Sequence, residues 1–159
     1  KKPQTVLSVI FLLTAGLGVG LIFLTKAYEN NIVPIWAIVL SIIAFIVIHE
    51  SLNIIFMAIF SKGKVNVKVK FPTIAVGSDA YFNKSQYIII ALVPVVVLGM
   101  VGLVCLLALP YKLLFSILLT LNFATASGDY ILTYYALKQD KNTYFVDQAD
   151  KTLVYTREV

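Results

Sequence analysis

The chain contains one histidine, His49, followed directly by Glu50. Both lie within an apolar run that reads Ile48-His49-Glu50-Ser51-Leu52-Asn53, giving the pattern H-E-x-x-N. Residues four apart share a helix face, so His49 and Asn53 project the same way. Two imidazoles at this spacing are a helical pair of zinc ligands, and a glutamate beside the first accepts a proton from the metal-bound water. Here Asn53 stands in the second ligand position. Its carbonyl is a neutral, hard oxygen, whereas zinc favours imidazole, thiolate or carboxylate. Taken alone, the His49–Glu50 pair also reads as a polar pair that hydrogen-bonds one helix to another.

A third ionisable residue, Asp129, lies in a later apolar run. Charges at membrane depth are costly and mark functional sites. A histidine and two carboxylates gathered there need a bound cation or a protonated carboxyl group to compensate them. The stretch before the aspartate, Asn122-Phe123-Ala124-Thr125-Ala126-Ser127-Gly128, is small and polar for such a segment. It suits close backbone approach or entry of water. Cys105 is the single cysteine, which excludes an internal disulfide and a cysteine zinc site; it reads as a packing residue. Gly16, Gly18 and Gly20 do not have the dinucleotide-binding spacing and read as helix-packing positions.

These residues must be positioned by elements that live in lipid. Hydrophobic residues make up 60% of the 159 and charged residues 13%, about half the ~25% of soluble domains. The mean hydropathy is +0.91. Four apolar segments long enough to cross a bilayer predict helices over about 5–25, 34–60, 86–109 and 111–137. Together they form one α-helical integral membrane domain spanning 1–159. Pro34 suits a helix start, Pro94 should kink the third helix, and Gly99 and Gly102 allow close approach. Pro110 marks a short link that makes helices three and four antiparallel neighbours.

The loop over 61–85 has a different texture. Lys64-Val65-Asn66-Val67-Lys68-Val69-Lys70 alternates with period two, which predicts a strand. Phe71-Pro72 ends it, Thr73 to Val76 reads as a returning strand, and Gly77-Ser78-Asp79 as a turn. The result is a short β-hairpin at the membrane interface. The tail over 138–159 reads as a second hairpin, with Tyr144-Phe145-Val146 and Leu153-Val154-Tyr155 flanking a polar turn near Asp147 to Asp150.

The net charge of +5 is explained by topology rather than by nucleic acid, which is not expected as a partner. Lys1 and Lys2, the loop lysines 62, 64, 68, 70 and 84, and Lys138, Lys141, Lys151 and Arg157 fall on one side of four helices. Only Lys26 and Lys112 fall on the other. The basic side is the cytoplasmic one, so both termini are cytoplasmic. Counting along the helices puts His49 eleven residues from Phe60 and Asp129 nine from Lys138. Those are roughly 16 and 14 Å from the cytoplasmic ends, nearly the same depth.

With the H-E helix, the strand-rich basic loop, the proline-bearing helix and the Ser127-Gly128-Asp129 helix in place, the chain resembles small bacterial four-helix membrane proteins described as zincin peptidases. It resembles more distantly the intramembrane metalloproteases of the site-2 protease type. The resemblance covers nearly the whole chain. It implies a bacterial cell membrane, a zinc cofactor held by His49 and Asp129, and Glu50 as general base. Asn53 departs from the pattern where a second histidine belongs. Asn122 matches the asparagine of the site-2 motif only loosely, since its spacing to Asp129 differs and no proline follows it. The resemblance therefore implies one of three states: a natural pseudoprotease, a chain carrying an inactivating substitution, or a rearranged metal site using the Asn53 oxygen or water. The implied partners are membrane lipids and a membrane-protein or peptide substrate, which must unwind to expose its peptide bonds. Val65, Val67 and Val69 would face that substrate if the strand pairs with it; the alternative is a hairpin that only lies at the interface. A non-catalytic protein that binds or shields a partner, and an ion or proton carrier using His49, Glu50 and Asp129, are the rival functions.

Overall fold

A computed structural model of the chain describes residues 3–29, 33–70, 73–148 and 151–156. Lys1, Lys2, Phe71, Pro72, Asp150 and Arg157, which entered the topology and turn readings, lie outside the described residues, as does the side chain of Lys70. The fold is mostly helical and divides into two compact units, Lys1–Val47 with Val95–Ile131, and Ile48–Pro94 with Leu132–Val159.

Three helices are long and apolar enough to cross a membrane: α1 (Pro3–Leu24), α2 (Ile35–Ser61) and α3 (Lys84–Ala108). A fourth crossing is made if α4 (Lys112–Thr125) and α5 (Ser127–Lys138), bent by 40°, count as one span. The outward faces are apolar: Leu17, Ile35 and Leu107 each expose more than three quarters of their surface. Patches of that kind belong against lipid or another chain, not water.

In the first unit α1 packs on α4. Gly18 is the contact point, because a Cβ there would collide with the Thr120 side chain. Gly16 and Gly20 have nothing within 4 Å of an added Cβ, so one of the three α1 glycines serves close packing. Gly102 lies under Leu119 and Gly99 beside Phe123. The hydroxyls of Thr14 and Thr120 turn back onto their own helix, donating to the carbonyls of Ile10 (2.8 Å) and Ser116 (2.7 Å). That keeps polar atoms off the apolar surfaces.

The segment over 111–137 is read from sequence as one helix, but it breaks at Ala126, where the N–H bonds back to Ala124 O. Thr125 also donates its hydroxyl to Leu121 O at 2.6 Å, a contact that bends helices. Ala126 and Ser127 are buried at the break.

The second unit carries the strands. α2 ends in a tight reversal: Lys62 (φ 56) and Gly63 (φ 83) are left-handed, and Gly63 N bonds to Ala58 O at 2.8 Å. This is the 6→1 bond of a Schellman cap, satisfying a carbonyl that the helix end orphans. β1 (Asn66–Lys70) and β2 (Thr73–Gly77) then pair antiparallel, from Asn66 opposite Gly77 to Lys70 opposite Thr73. β3 (Phe82–Asn83), β4 (Thr143–Asp147) and β5 (Thr152–Thr156) form a second sheet in that order.

α3 starts at Lys84, earlier than the apolar run suggests, because Asn83 and Gln86 form a reciprocal cap. Gln86 N bonds to Asn83 Oδ1 at 2.9 Å and Asn83 N to Gln86 Oε1 at 3.0 Å. The unit's core gathers Met57, Phe82, Tyr87, Ile90, Ala136 and Phe145. Tyr87 stacks on Phe145 with centroids 4.6 Å apart and meets Thr152 Oγ1 at 3.1 Å through its hydroxyl.

Candidate functional site

His49, Glu50 and Asn53 occupy consecutive turns of α2, in a helix that is apolar on every side. A helix this apolar has no wet face for polar groups, so their neighbours on the same helix matter most. His49 and Glu50 are largely sheltered, with 15% and 27% of their side chains exposed. The Asn53 Nδ2 atom lies 3.5 Å from His49 Nδ1. That is the outer limit of a hydrogen bond, and its direction depends on the tautomer of the ring. His49 Nδ1 also stands 3.9 Å from a Glu50 oxygen. The helix thus brings the imidazole, the carboxylate and the amide together.

Asp129 lies in the first turn of α5, just after the break at Ala126. A carboxylate there is favoured by the helix dipole. It belongs to the first unit, while His49, Glu50 and Asn53 belong to the second. Val65 precedes β1 and packs against the core of the second unit. Val67 lies on β1 and is 48% exposed. The side chain of Val69 lies outside the described residues. Of Val65 and Val67, the second is the more exposed.

The donors that α2 presents by itself, one imidazole, one carboxylate and one amide, fall short of a full zinc ligand set. Zinc sites take three or four imidazole, thiolate or carboxylate ligands. Among the described residues, no group of three or more His, Cys, Asp or Glu side chains is placed to hold a metal. On α2 itself the position one turn after His49 offers an amide in place of an imidazole.

Two polar residues take structural roles that the motif comparison, which matched Asn122 only loosely and Lys84 not at all, does not give them. Asn122 is 1% exposed and donates to Val95 O at 2.8 Å, tying α4 to α3 immediately after Pro94. Lys84 counts in the sequence only as a topology charge, yet its ammonium bonds the carbonyls of Leu137 (2.7 Å) and Gln139 (2.8 Å) at the end of α5. The sequence signal for the second is weak: a lysine far away in the chain with no periodic relation to the helix it caps.

Compared with known proteins, residues 42–144 match the family described as "Putative zincin peptidase". No curated protein and no solved structure matches the chain. The family match covers well over half of the chain and takes in His49, Glu50, Asn53 and Asp129, so the chain belongs to this zincin peptidase family.

Proposed function

We propose that the chain is a four-span membrane protein with both termini in the cytoplasm, built on an intramembrane zincin scaffold of the site-2 protease type. Its ability to hydrolyse peptide bonds near the cytoplasmic membrane face is impaired by Asn53. One observation carries the reading: the amide of Asn53, 3.5 Å from His49 Nδ1, sits where the second imidazole of H-E-x-x-H belongs. Glu50 keeps the position of a proton acceptor beside the histidine. One imidazole and one amide do not supply the donor pair that a zinc ion takes from such a helix. Asp129 joins this reading through its place in the sequence, nine residues before Lys138.

The test is the zinc content of the purified full-length protein alongside Asn53→His. The substitution is expected to raise zinc affinity by at least about tenfold, the smallest effect seen when the surroundings of a metal site are altered. Asp129→Asn in the Asn53→His background should lower it again. If neither the chain nor Asn53→His retains zinc, the metalloprotease reading is wrong.

A second reading is favoured by the same local geometry. Asn53 lies within reach of His49 on the same helix face, so the helix itself gives the imidazole a polar neighbour. On this reading the protein binds or shields a membrane partner without cleaving it. Recovery of an intact bound peptide from both the chain and Glu50→Gln would favour binding over hydrolysis.

A further inference from the structure

The first unit holds a cavity of about 550 Å³ between α1, α3 and α4. Its α1 wall is the stripe Thr14, Leu17, Gly18 and Leu21, spaced as one helix face. Leu103 stands on the α3 wall and Phe123 on the α4 wall. Glycines leave the space open. Gly18 lets α1 close on Thr120, Gly99 lets α3 lie beside Phe123, and neither has a side chain to fill the gap. The cavity reaches the surface, since its lining residues Leu17, Leu103 and Phe123 are 76%, 50% and 41% exposed.

The walls select the occupant. Only Thr14, Thr120 and Tyr130 bring a polar side chain to the lining. Both threonine hydroxyls are spent on their own helices, donating to Ile10 O at 2.8 Å and Ser116 O at 2.7 Å. Water does not settle in such a space: an apolar cavity of about 150 Å³ stays dry and takes up hydrocarbon instead. An extended peptide would bring an N–H and a C=O at every residue, with almost nothing on the walls to receive them. A partner helix is too broad. Thr14 to Leu21 covers roughly 10 Å of α1, so 550 Å³ leaves a furrow about 8 Å across, against about 10–12 Å for a helix with its side chains. A hydrocarbon chain is slender, needs no hydrogen bond, and supplies the dispersion contacts that bare walls forgo. Its depth also suits. Thr14 lies eleven residues into α1 and Leu21 three before its end, within a helix long and apolar enough to cross a membrane.

We propose that this cavity holds an acyl chain of a membrane lipid, which enters from the side between the helices. The proposal rests on the membrane reading above for its lipid, and on neither zinc nor proteolysis.

The experiment titrates the purified full-length chain in neutral detergent with phosphatidylcholine that carries a photoreactive diazirine midway along one acyl chain. Crosslinked residues are mapped by mass spectrometry of peptides. Labelling of Leu17, Leu21 and Leu103 should saturate as the probe is raised and should fall when unlabelled phosphatidylcholine is added. Leu24 and Leu107 are 85% and 77% exposed and do not line the cavity, so their labelling should rise without saturating. Leu103→Trp and, separately, Thr14→Phe fill the space and should lose the saturable labelling, whereas Leu107→Trp should keep it. Thermal unfolding shows which variants fold. Labelling of Leu17 and Leu103 that only keeps pace with Leu24 and Leu107 overturns the proposal, as does saturable labelling that both filled variants retain. Surface labelling with none in the cavity, in protein that runs as a dimer, would give the space to a second copy and also overturn it. In either case the surface labelling leaves the membrane reading standing; no labelling at any of these positions sinks both.

Discussion

At the scale of single residues, polar groups in this chain settle their hydrogen bonds close to home, and the exceptions are informative. Asn122 is one: its nitrogen reaches Val95 O across to α3, while its buried oxygen has no hydrogen-bond partner among the described residues. Such a bond between membrane helices is worth about 0.6 kcal/mol on average and up to about 1.7. Asn122→Ala should therefore lower stability by about 1 kcal/mol in a detergent unfolding titration. Asn122→Asp should cost more at neutral pH than at acid pH, because an ionised carboxylate cannot donate to Val95 O whereas a protonated one can. An unchanged midpoint in both would show that the bond carries no stability. The burial of Asn122 was not legible in the sequence. Helix faces declare themselves by polar–apolar periodicity, and in α4 that periodicity runs through Lys112, Ser116 and Thr120, off which Asn122 lies. His49, Glu50 and Asn53 were legible, since their significance lies in residue type and a spacing of four, which a helix converts directly into a shared face.

At the scale of elements, the caps decide where helices begin and end. The apolar run alone starts the third helix at about residue 86, whereas the Asn83–Gln86 box starts it at Lys84. The box was present in the sequence as Asn-x-x-Gln but lies among residues polar enough to read as loop. The far end of α5 is held differently, by Lys84 bonding two carbonyls at a helix C-terminus, where a cation is also favoured by the dipole. Replacing Lys84 by Met keeps the aliphatic stem and removes both bonds. The expected loss is about 1–2 kcal/mol, discounted because the ammonium is partly solvated. Hydrogen exchange should localise the effect to the last turn of α5 and the residues entering β4. Protection there that matches the unaltered protein would show the contact to be incidental. Gln86→Ala should cost about 1 kcal/mol through the other cap. The break at Ala126 is the element feature that sequence reading missed, because helical propensity and hydropathy both run through Ala124 to Ser127 without interruption. The Thr125 hydroxyl returning to Leu121 O accompanies the break, but Thr14 and Thr120 make the same bond within unbroken helices, so it does not by itself turn the chain.

At the scale of the molecule, the open question in the fold is whether the α4–α5 pair crosses the membrane. Three helices pass the length and apolarity test outright, and the bent pair passes only as a unit. Lysine bias favours the crossing, since it puts Lys151 with Lys64 rather than with Lys26 and Lys112. The two alternatives differ in one place. With four spans, Lys26 and Lys112 are external and Lys64 and Lys151 internal. With three, Lys151 joins Lys26 and Lys112 outside. Replacing Cys105 by Ser removes the chain's one thiol, and single cysteines can then be placed by Lys26→Cys, Lys64→Cys, Lys112→Cys and Lys151→Cys. A membrane-impermeant maleimide applied to intact cells should label the first and third and spare the second and fourth. Detergent should expose all four. Labelling of Lys151→Cys in intact cells would reduce the count to three and move the tail outside. It would also carry β4 and β5 away from the loop that holds β1, which their hydrogen bonds forbid: Lys68 and Ser78 each reach the β4–β5 hairpin, at Gln148 and Asp147. Because β1 and the tail strands share one unit, the two cannot lie on opposite sides of a bilayer. The strand contacts and the lysine distribution are independent, and both support the proposal that the bent pair returns the chain across the membrane.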